Sequence, residues 1–441
     1  MASRDNEADR RVVIVGGGFG GLEAAKALSG AGARITLVDR TNHHLFQPLL
    51  YQVATAALSP AEIAEPIRAI LRGRRDVTVV LGDATGIDVA GRRVLVRNTD
   101  PIPYDTLILA TGSAYSWFGH DTWSRYAAVL KTLVDADLIR QRVLEAFDWA
   151  ESRRDEDEIA SLLTFVVVGG GPTGIELAGS IAELARSTLK RDYRRIDPAA
   201  ARIILVDGGE RLLAHLPEDL SAYARTALAE LGVDVRLGAN ADGIDGEGVI
   251  VAGERIRAAN VFWCAGTEAN PAAAWLGAEA ARNKGVRVLP DCSVPGHPEI
   301  FCIGDVASQK GPDGKPLPGL APVAKQQGRY VGRLVAGRLR GEPPPGPFRY
   351  RDYGTMAVIG RSRAVADFGR VRLTGLPAWL AWSLVHLVLL LGFRNRLMVY
   401  LNWVWQFLTY GRGARLAIGE TEGRAEEERR VAASASPVRA T

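Results

Sequence analysis

Cysteine is scarce in this chain, with only three among 441 residues: Cys264, Cys292 and Cys302. No two of them stand in a CxxC or CxxxxC arrangement, so the sequence predicts neither a disulfide framework nor a dithiol redox centre. This usage fits a reducing compartment. No motif with metal-ligand spacing accompanies the cysteines or histidines, so no metal site is predicted.

The chain also lacks a strong charge imbalance. Its formal net charge of +4 is small for 441 residues and gives no reason to expect a nucleic-acid partner. The segment Met1–Arg10 is polar and has no apolar stretch, so we expect no signal peptide. Hydrophobic residues make up 47% and charged residues 24%, which is ordinary for a folded globular protein, and the length predicts two or three domains.

A glycine-rich turn near the N-terminus is framed by two apolar runs. Val12–Val15 leads into the turn, an alanine-rich helical pattern follows, and a second run ends on Asp39. Gly16, Gly18 and Gly21 occupy the three glycine positions of a dinucleotide fingerprint. The helix N-terminus would bind the phosphates, and Asp39 is placed to accept hydrogen bonds from a ribose.

The same arrangement returns about 150 residues later, roughly one domain length. The run Leu163–Val168 leads into Gly169, Gly171 and Gly174, and the strand Arg202–Val206 ends on an acid, Asp207. Two dinucleotide sites in one chain imply electron transfer between two dinucleotides. The first is commonly a tightly held flavin and the second an exchangeable nicotinamide.

Three more strands end in small or polar residues, which usually brings the backbone close to a ligand. The last of them ends in Gly304-Asp305, whose carboxylate can bind the polyol linker of a flavin or cap the following helix; the two roles are compatible. The three segments are Tyr104–Ser113, Val261–Gly266 and Ile300–Asp305.

Two segments between these strands are read as loops. Asn42–Gln52 mixes apolar and amide side chains and breaks at Pro48, as a loop over a planar ligand or an ordinary packed surface loop would. Glu151–Glu158 is dense in charge without an apolar period, which predicts a solvated loop.

The C-terminal part is set apart by a proline-rich hinge, Glu342–Pro347. Leu376–Phe393 carries no formal charge, and Leu397–Tyr410 resumes the apolar pattern after two arginines. Aromatic residues recur throughout, and arginines stand between and after the runs, which favours a pair of helices lying in a membrane interface. A spanning hairpin and a soluble dimer or core helix pair stay open as alternatives.

Taken together, these motifs resemble the type II NADH dehydrogenases, the non-proton-pumping NADH:quinone oxidoreductases. The resemblance runs from about Arg11 to Leu416. Its motifs are Gly16–Gly21, Gly169–Glu176, His44–Gln52, Ala110–Gly112, Ile303–Asp305 and Gly392–Arg396.

The family implies an α/β fold with two Rossmann-like dinucleotide-binding domains, of which the FAD domain is interrupted by the NADH domain. A C-terminal amphipathic helical region anchors the protein peripherally to the membrane, at the cytoplasmic face of the inner membrane, and often contributes to a homodimer. The predicted division is residues 1–116 and 296–341 for FAD, 117–295 for NADH, 342–419 for the membrane region and 420–441 for a disordered tail.

Site residues follow from the fingerprints and from the resemblance. Glu176 matches an acid that the family places near nicotinamide and flavin. Ala321–Gln326 corresponds to an Ala-Gln-x-x-x-Gln motif at the flavin–quinone junction, with Pro322 in place of the first glutamine, so Glu176 and Gln326 are the catalytic candidates. The residues predicted to bind FAD are Gly16, Gly18, Phe19, Gly20, Gly21, Asp39, Arg40, Gln47, Ala110, Thr111, Gly112, Gly304, Asp305 and Lys325. Those predicted to bind NADH are Gly169, Gly171, Pro172, Thr173, Gly174, Glu176, Asp207, Ala265 and Gly266.

The expected reaction is hydride transfer from NADH to FAD, followed by transfer of two electrons to a membrane quinone. Three alternatives share parts of the pattern. A sulfide:quinone oxidoreductase needs a cysteine pair near the flavin, and a soluble flavoprotein reductase has no use for Leu376–Tyr410. A flavin-based redox sensor would bind NADH with negligible turnover.

Overall fold

The first domain is built around a largely parallel six-stranded sheet. A computed structural model describes residues 10–312 and 314–417 of the chain. The β-branched run Arg11–Val15 lies near the centre of this sheet, and all but its first side chain are buried. Two helices cover one face, and a small antiparallel sheet with a short helix covers the other. From edge to edge the strands are Ser293–Val294, His297–Cys302, Thr106–Leu109, Arg11–Val15, Arg34–Asp39 and Val77–Leu81.

The second domain repeats this plan with five parallel strands. All of them fall in the sequence between Thr106–Leu109 and His297–Cys302, which are neighbours in the first sheet. The first domain is therefore interrupted by the second, as the family resemblance implies. The strands are Ala127–Val129, Asn260–Trp263, Thr164–Val168, Arg202–Asp207 and Val233–Leu237.

Helices cover both sheets, and small residues let two of them approach closely. A Cβ atom at Gly328 would lie 2.1 Å from the carbonyl oxygen of Gly20, so helix Ala321–Leu339 packs directly against helix Phe19–Ala27. The other helices before the hinge are Leu50–Ala54, Pro60–Ile63, Ile67–Ile70, Leu133–Ser152, Glu156–Leu162, Pro172–Glu183, Glu218–Glu230 and Ala272–Leu276. Short 3₁₀ turns occupy Gln47–Leu49, Asp121–Arg125, Pro198–Ala200 and Gly304–Val306, and a π turn occupies Leu184–Thr188.

Several small sheets, most of them antiparallel, accompany the two large sheets. The strands Ser113–Tyr115 and Thr267–Ala269 pair with each other where the two domains meet. The remaining small sheets before the hinge are His43–Leu45 with Ala64–Pro66, then Ala84–Asp88, Arg93–Val96 and Ile102–Pro103, then Ala241–Asp245, Gly248–Val251 and Glu254–Arg257, and the parallel pair Val286–Arg287 with Ala307–Ser308.

The charged segment Glu151–Glu158 is not the loop that its composition predicts. The long helix ends at Ser152, and a new helix begins at Glu156 with Asp155 as its N-cap, whose side chain accepts from the Glu158 N–H. Acidic side chains in a first helical turn are favoured by the helix dipole and the free N–H groups. The charges that suggested a loop are therefore a helix-start signal.

After the proline-rich hinge, a small sheet leads into two helices. The strands are Thr355–Gly360, Arg363–Asp367 and Arg372–Thr374, and the helices are Gly375–Leu389 and Phe393–Thr409. A Cβ atom at Gly179 would lie 1.8 Å from the carbonyl oxygen of Ile359, so this sheet packs against helix Pro172–Glu183. Neither helix, nor any other in residues 10–312 and 314–417, has the length and apolar content needed to span a bilayer. The predicted tail, 420–441, lies outside the described residues.

Candidate active site

Both glycine loops open onto helix N-termini that are suited to binding an anion. The helices begin at Phe19 and Pro172, after Gly18 and Gly171, and neither first turn contains an acidic residue or a side-chain cap. Their N–H groups are therefore available to phosphate oxygens. Gly16 and Gly169 have φ angles of +106° and +121°, which explains why each loop begins with glycine.

The carboxylates at the two strand ends hold these loops in place. Asp39 Oδ2 accepts from the Gly17 N–H at 2.5 Å, and Asp207 Oδ2 accepts from the Gly170 N–H at 2.5 Å. The other oxygen of Asp207 accepts from the Gly209 N–H at 2.7 Å. Because a carboxylate offers about four acceptor positions, each can support its loop and still accept from a ribose.

The first loop lines a cavity that is built from both halves of the interrupted domain. Twelve of the fourteen residues predicted to bind FAD lie in its wall. Gly21 lies behind the loop, where a Cβ atom would be 1.8 Å from the carbonyl oxygen of Gly16. Lys325 is outside the lining. The twelve are Gly16, Gly18, Phe19, Gly20, Asp39, Arg40, Gln47, Ala110, Thr111, Gly112, Gly304 and Asp305.

A cluster of three polar side chains in this wall was only partly foreseen. Lys131 Nζ donates to Ser113 Oγ at 2.9 Å, and Ser113 Oγ donates to Asp305 Oδ2 at 2.7 Å. Lys131 Nζ is 3.9 Å from the Asp305 carboxylate. Burial lowers the pKa of Lys131, and the charge of Asp305 opposes that shift. The sequence marks Thr132 and Asp135 as a capping box but gives no sign that Lys131 enters a cavity.

The residues of this cavity fit a bound flavin nucleotide. Thr111 Oγ1 is buried without a hydrogen-bond partner among the described residues, and it lies in the cavity wall. An unpaired buried hydroxyl costs about 1–3 kcal/mol, which a bound polar group would recover. Gly18 has open space where a Cβ atom would stand, as close approach of a pyrophosphate requires.

Glu176 faces a second cavity, which lies between helix Pro172–Glu183 and the C-terminal helices. Its wall includes Tyr51, Trp382 and Trp403. Among the described residues the carboxylate makes one long hydrogen bond, in which Oε1 accepts from the Val358 N–H at 3.4 Å. Burial raises the pKa of Glu176 to about 8, so the group is mostly protonated at neutral pH.

The C-terminal segment is bound to the wall of this cavity by buried polar contacts. Trp403 Nε1 donates to Gln52 Oε1 at 2.8 Å, and Gln52 Nε2 donates to the Tyr51 hydroxyl at 2.9 Å. Arg412, only 9% exposed, donates to the carbonyl oxygen of Thr55 at 2.6 Å and lies 3.7 Å from Glu183. No local motif indicates that a C-terminal arginine returns to the protein core.

Gln326 is placed apart from both cavities. Its amide pairs with the backbone of Arg351, donating at 2.8 Å and accepting at 2.9 Å, and so attaches the segment that follows the hinge to the helix. The neighbouring Gln327 is buried, accepts from the Gly304 N–H at 2.7 Å and donates to Gln309 at 2.7 Å. Gln327, which sequence reasoning passed over, therefore supports the wall of the flavin cavity, and a catalytic role for Gln326 stays a prediction.

The NADH candidates gather around the second loop. Gly174 repeats the geometry of Gly21, since a Cβ atom there would be 1.8 Å from the carbonyl oxygen of Gly169. A Cβ atom at Gly169 would lie 2.8 Å from the backbone nitrogen of Ala265, which brings the end of strand Asn260–Trp263 against the loop. Glu176 follows one turn into the helix and faces the second cavity.

Comparison with known proteins matches two parts of the chain, before and after the proline-rich hinge, to known families. Residues 10–328 match the family described as pyridine nucleotide-disulphide oxidoreductase, and residues 353–413 match the NDH2 C-terminal domain. The chain is 44% identical to a type II NADH:quinone oxidoreductase, Ndh, from Mycobacterium tuberculosis over 91% of this chain and 89% of that protein. It is 42% identical to NdhA of the same organism over 91% and 88% of the two chains. Its fold is similar to NDH2 from Plasmodium falciparum, with a TM-score of 0.84 at 20% identity over 92% of this chain and 99% of that one.

Proposed function

The chain belongs to the type II NADH:quinone oxidoreductases, and from that premise we propose that Gly16–Gly21 hold FAD and Gly169–Gly174 hold NADH. Membership confirms the predicted enzyme class, the two cofactors and a quinone as electron acceptor. The assignment is carried by the cavity at the first loop, whose wall contains twelve of the residues predicted to bind FAD, which suits a resident group. The second loop adjoins exposed residues 208–211, which suits an exchangeable one.

The assignment extends to the predicted domains. We assign residues 1–116 and 296–341 to the FAD domain, 117–295 to the NADH domain and 342–419 to the membrane region. Bound FAD supplies a ring that accepts hydride from NADH and passes two electrons to quinone. The protein binds and orients both nucleotides and excludes water from the reaction.

Glu176 is assigned to proton delivery at the quinone side. Overall, NADH and quinone become NAD⁺ and quinol, and one proton is taken up. A carboxyl group with a pKa of about 8 holds a proton at neutral pH and can donate it. Its cavity is walled in part by Trp382 and Trp403 of the C-terminal helices, so we propose that quinone approaches from that side.

The two C-terminal helices are proposed to lie on a membrane surface. On the first helix, exposed apolar side chains recur every four residues, so they form one face. The second helix continues this surface. We call nine of the exposed side chains on these two helices the apolar face: Leu376, Leu380, Leu384, Val388, Phe393, Leu397, Leu401, Trp405 and Leu408. An apolar helix face with aromatic residues and nearby arginines is typical of interfacial helices. The cytoplasmic side of the membrane and the homodimer stay predictions.

Paired glycine substitutions test the assignment of the two loops. Gly21→Ala and Gly174→Ala each place a Cβ atom 1.8 Å from a loop carbonyl oxygen, so each should distort one loop. We expect Gly21→Ala to purify with little FAD. Gly174→Ala should keep its flavin spectrum but need at least tenfold more NADH for half-maximal anaerobic bleaching.

Gly73→Ala is the matched control, because this exposed glycine has open space around a Cβ atom. It should behave like the parent in flavin content and in NADH titration. Loss of FAD from Gly174→Ala with retention in Gly21→Ala would reverse the assignment.

A further inference from the structure

Lys131 reaches from the second domain into the cavity of the first. It lies between strand Ala127–Val129 and helix Leu133–Ser152, and its side chain is 23% exposed. Its backbone is fixed on both sides, since its N–H donates to Asp135 at 3.0 Å and its carbonyl oxygen accepts from Gln47 at 3.4 Å. These contacts fix the start of the side chain, and Ser113 binds its ammonium group in the cavity wall.

The ammonium group has donor capacity left over. It carries three N–H donors, and among the described residues one of them is used, by Ser113 Oγ at 2.9 Å. Asp305, at 3.9 Å, is an ion-pair partner beyond hydrogen-bonding distance. The remaining donors are therefore free to bind an acceptor in the cavity that Lys131 lines.

Position along the cavity identifies which part of the flavin this acceptor belongs to. Asp39 ends the second strand and marks the ribose end, and Gly18–Gly20 mark the phosphates. Lys131 lines the same cavity together with Thr132, Leu133 and Leu45, none of which belongs to the nucleotide-binding loop. Asp305, assigned to the polyol linker, is 3.9 Å from Lys131, and the flavin ring follows that linker, so the ring is the next part of the dinucleotide on this side.

We propose that Lys131 offsets the negative charge of the reduced flavin ring and thereby raises its reduction potential. Hydride transfer breaks a C–H bond of NADH, forms an N–H bond on the ring and moves two electrons with the hydrogen, so NAD⁺ leaves and the ring gains one negative charge. An ammonium that is already positioned beside the ring stabilises that charge, because it needs no reorientation when the charge appears. This inference rests on the proposed assignment of FAD to the first loop.

Redox titration of the purified holoenzyme tests the proposal. Lys131→Gln removes the charge and can still donate to Ser113, whereas Lys131→Arg keeps the charge. At pH 7 we expect Lys131→Gln to lower the ratio of reduced to oxidised flavin at a given potential at least tenfold, which is about 30 mV for a two-electron couple. Lys131→Arg should restore most of this loss. Lys190→Gln, at an exposed position, should match the parent.

Ser113→Ala separates charge from structure. It removes the hydroxyl that binds Lys131 but leaves the ammonium, so we expect a potential equal to or above that of the parent. A fall in both Ser113→Ala and Lys131→Gln would assign the effect to the hydrogen bond and overturn the proposal. An unchanged potential in Lys131→Gln overturns it as well. The Gly21→Ala variant separates the two claims. If it lacks flavin while Lys131→Gln leaves the potential unchanged, the proposal for Lys131 fails and the assignment of FAD to the first loop stands.

Discussion

Glu176 permits a quantitative prediction, because its carboxyl group is buried with one weak hydrogen bond. Burial raises its pKa from the ordinary 4.5 to about 8. The folded protein therefore holds a proton on Glu176 that the unfolded chain has released between these two pH values. By linkage, stability falls as pH rises from about 4.5 and becomes constant above about 8.

The size of this effect follows from the two pKa values. The cost relative to acid pH is about 2 kcal/mol at pH 6 and about 5 kcal/mol at pH 9. Glu176→Gln keeps the shape of the side chain and removes the titration, so the variant should gain about 3 kcal/mol over the parent between these pH values. With an unfolding entropy of about 2.1 cal/mol/K per residue over 441 residues, that corresponds to a Tm difference of about 3 °C.

Thermal unfolding of the FAD-loaded protein in detergent, without NADH or quinone, measures this difference. The Tm of the parent should fall more steeply between pH 6 and pH 9 than that of Glu176→Gln. Glu210→Gln is the matched control, because Glu210 is exposed and its variant should follow the parent. Parallel Tm profiles for parent and Glu176→Gln would refute the raised pKa, and with it the proton-donor role.

Two further predictions concern the nicotinamide and the membrane. Asp207→Asn should lower the preference for NADH over NADPH about tenfold or more in steady-state kinetics, because a carboxylate no longer repels the 2′-phosphate; Arg211 already donates to the carbonyl oxygen of Ala214. Equal ratios in variant and parent would contradict this. Leu384→Glu with Leu408→Glu, at side chains 65% and 72% exposed, should reduce co-sedimentation with lipid vesicles while flavin content stays constant. Leu289→Glu, exposed but outside the apolar face, is its control, and vesicle binding equal to the parent in the double variant would refute the interfacial placement.

The buried contacts of the C-terminal segment explain why point substitutions are preferred to truncation. Val399 and Trp403 are buried, and Arg412 donates to the carbonyl oxygens of Thr55 and Ser180. Removing the chain after Pro347 would expose this interior and leave Glu183 without its cation. A buried charge that loses its partner costs about 3–5 kcal/mol, so a truncated protein would combine loss of the membrane face with loss of stability.

The glycine loops were predictable from sequence because their physics is local. A β-branched run, a turn that needs positive φ at Gly16 and Gly169, and an acid at the next strand end all lie within about 40 residues. The interruption of the first domain was an expectation from the family resemblance and did not follow from the glycine pattern alone. The loop predicted for Glu151–Glu158 was wrong, because the acidic residues of this segment lie at the N-terminus of a helix. Composition alone does not distinguish such a helix start from a solvated loop.

The sequence by itself determined the two nucleotide loops, the strand ends around them and the apolar character of the C-terminal helices, because each depends on neighbours along the chain. Only the tertiary structure decided which side chains from distant segments share a cavity. Lys131 meets Asp305 across 174 positions of sequence, and Arg412 meets Thr55 across 357. These contacts depend on how sheets and helices pack, and packing brings together residues whose local sequence carries no sign of the partner.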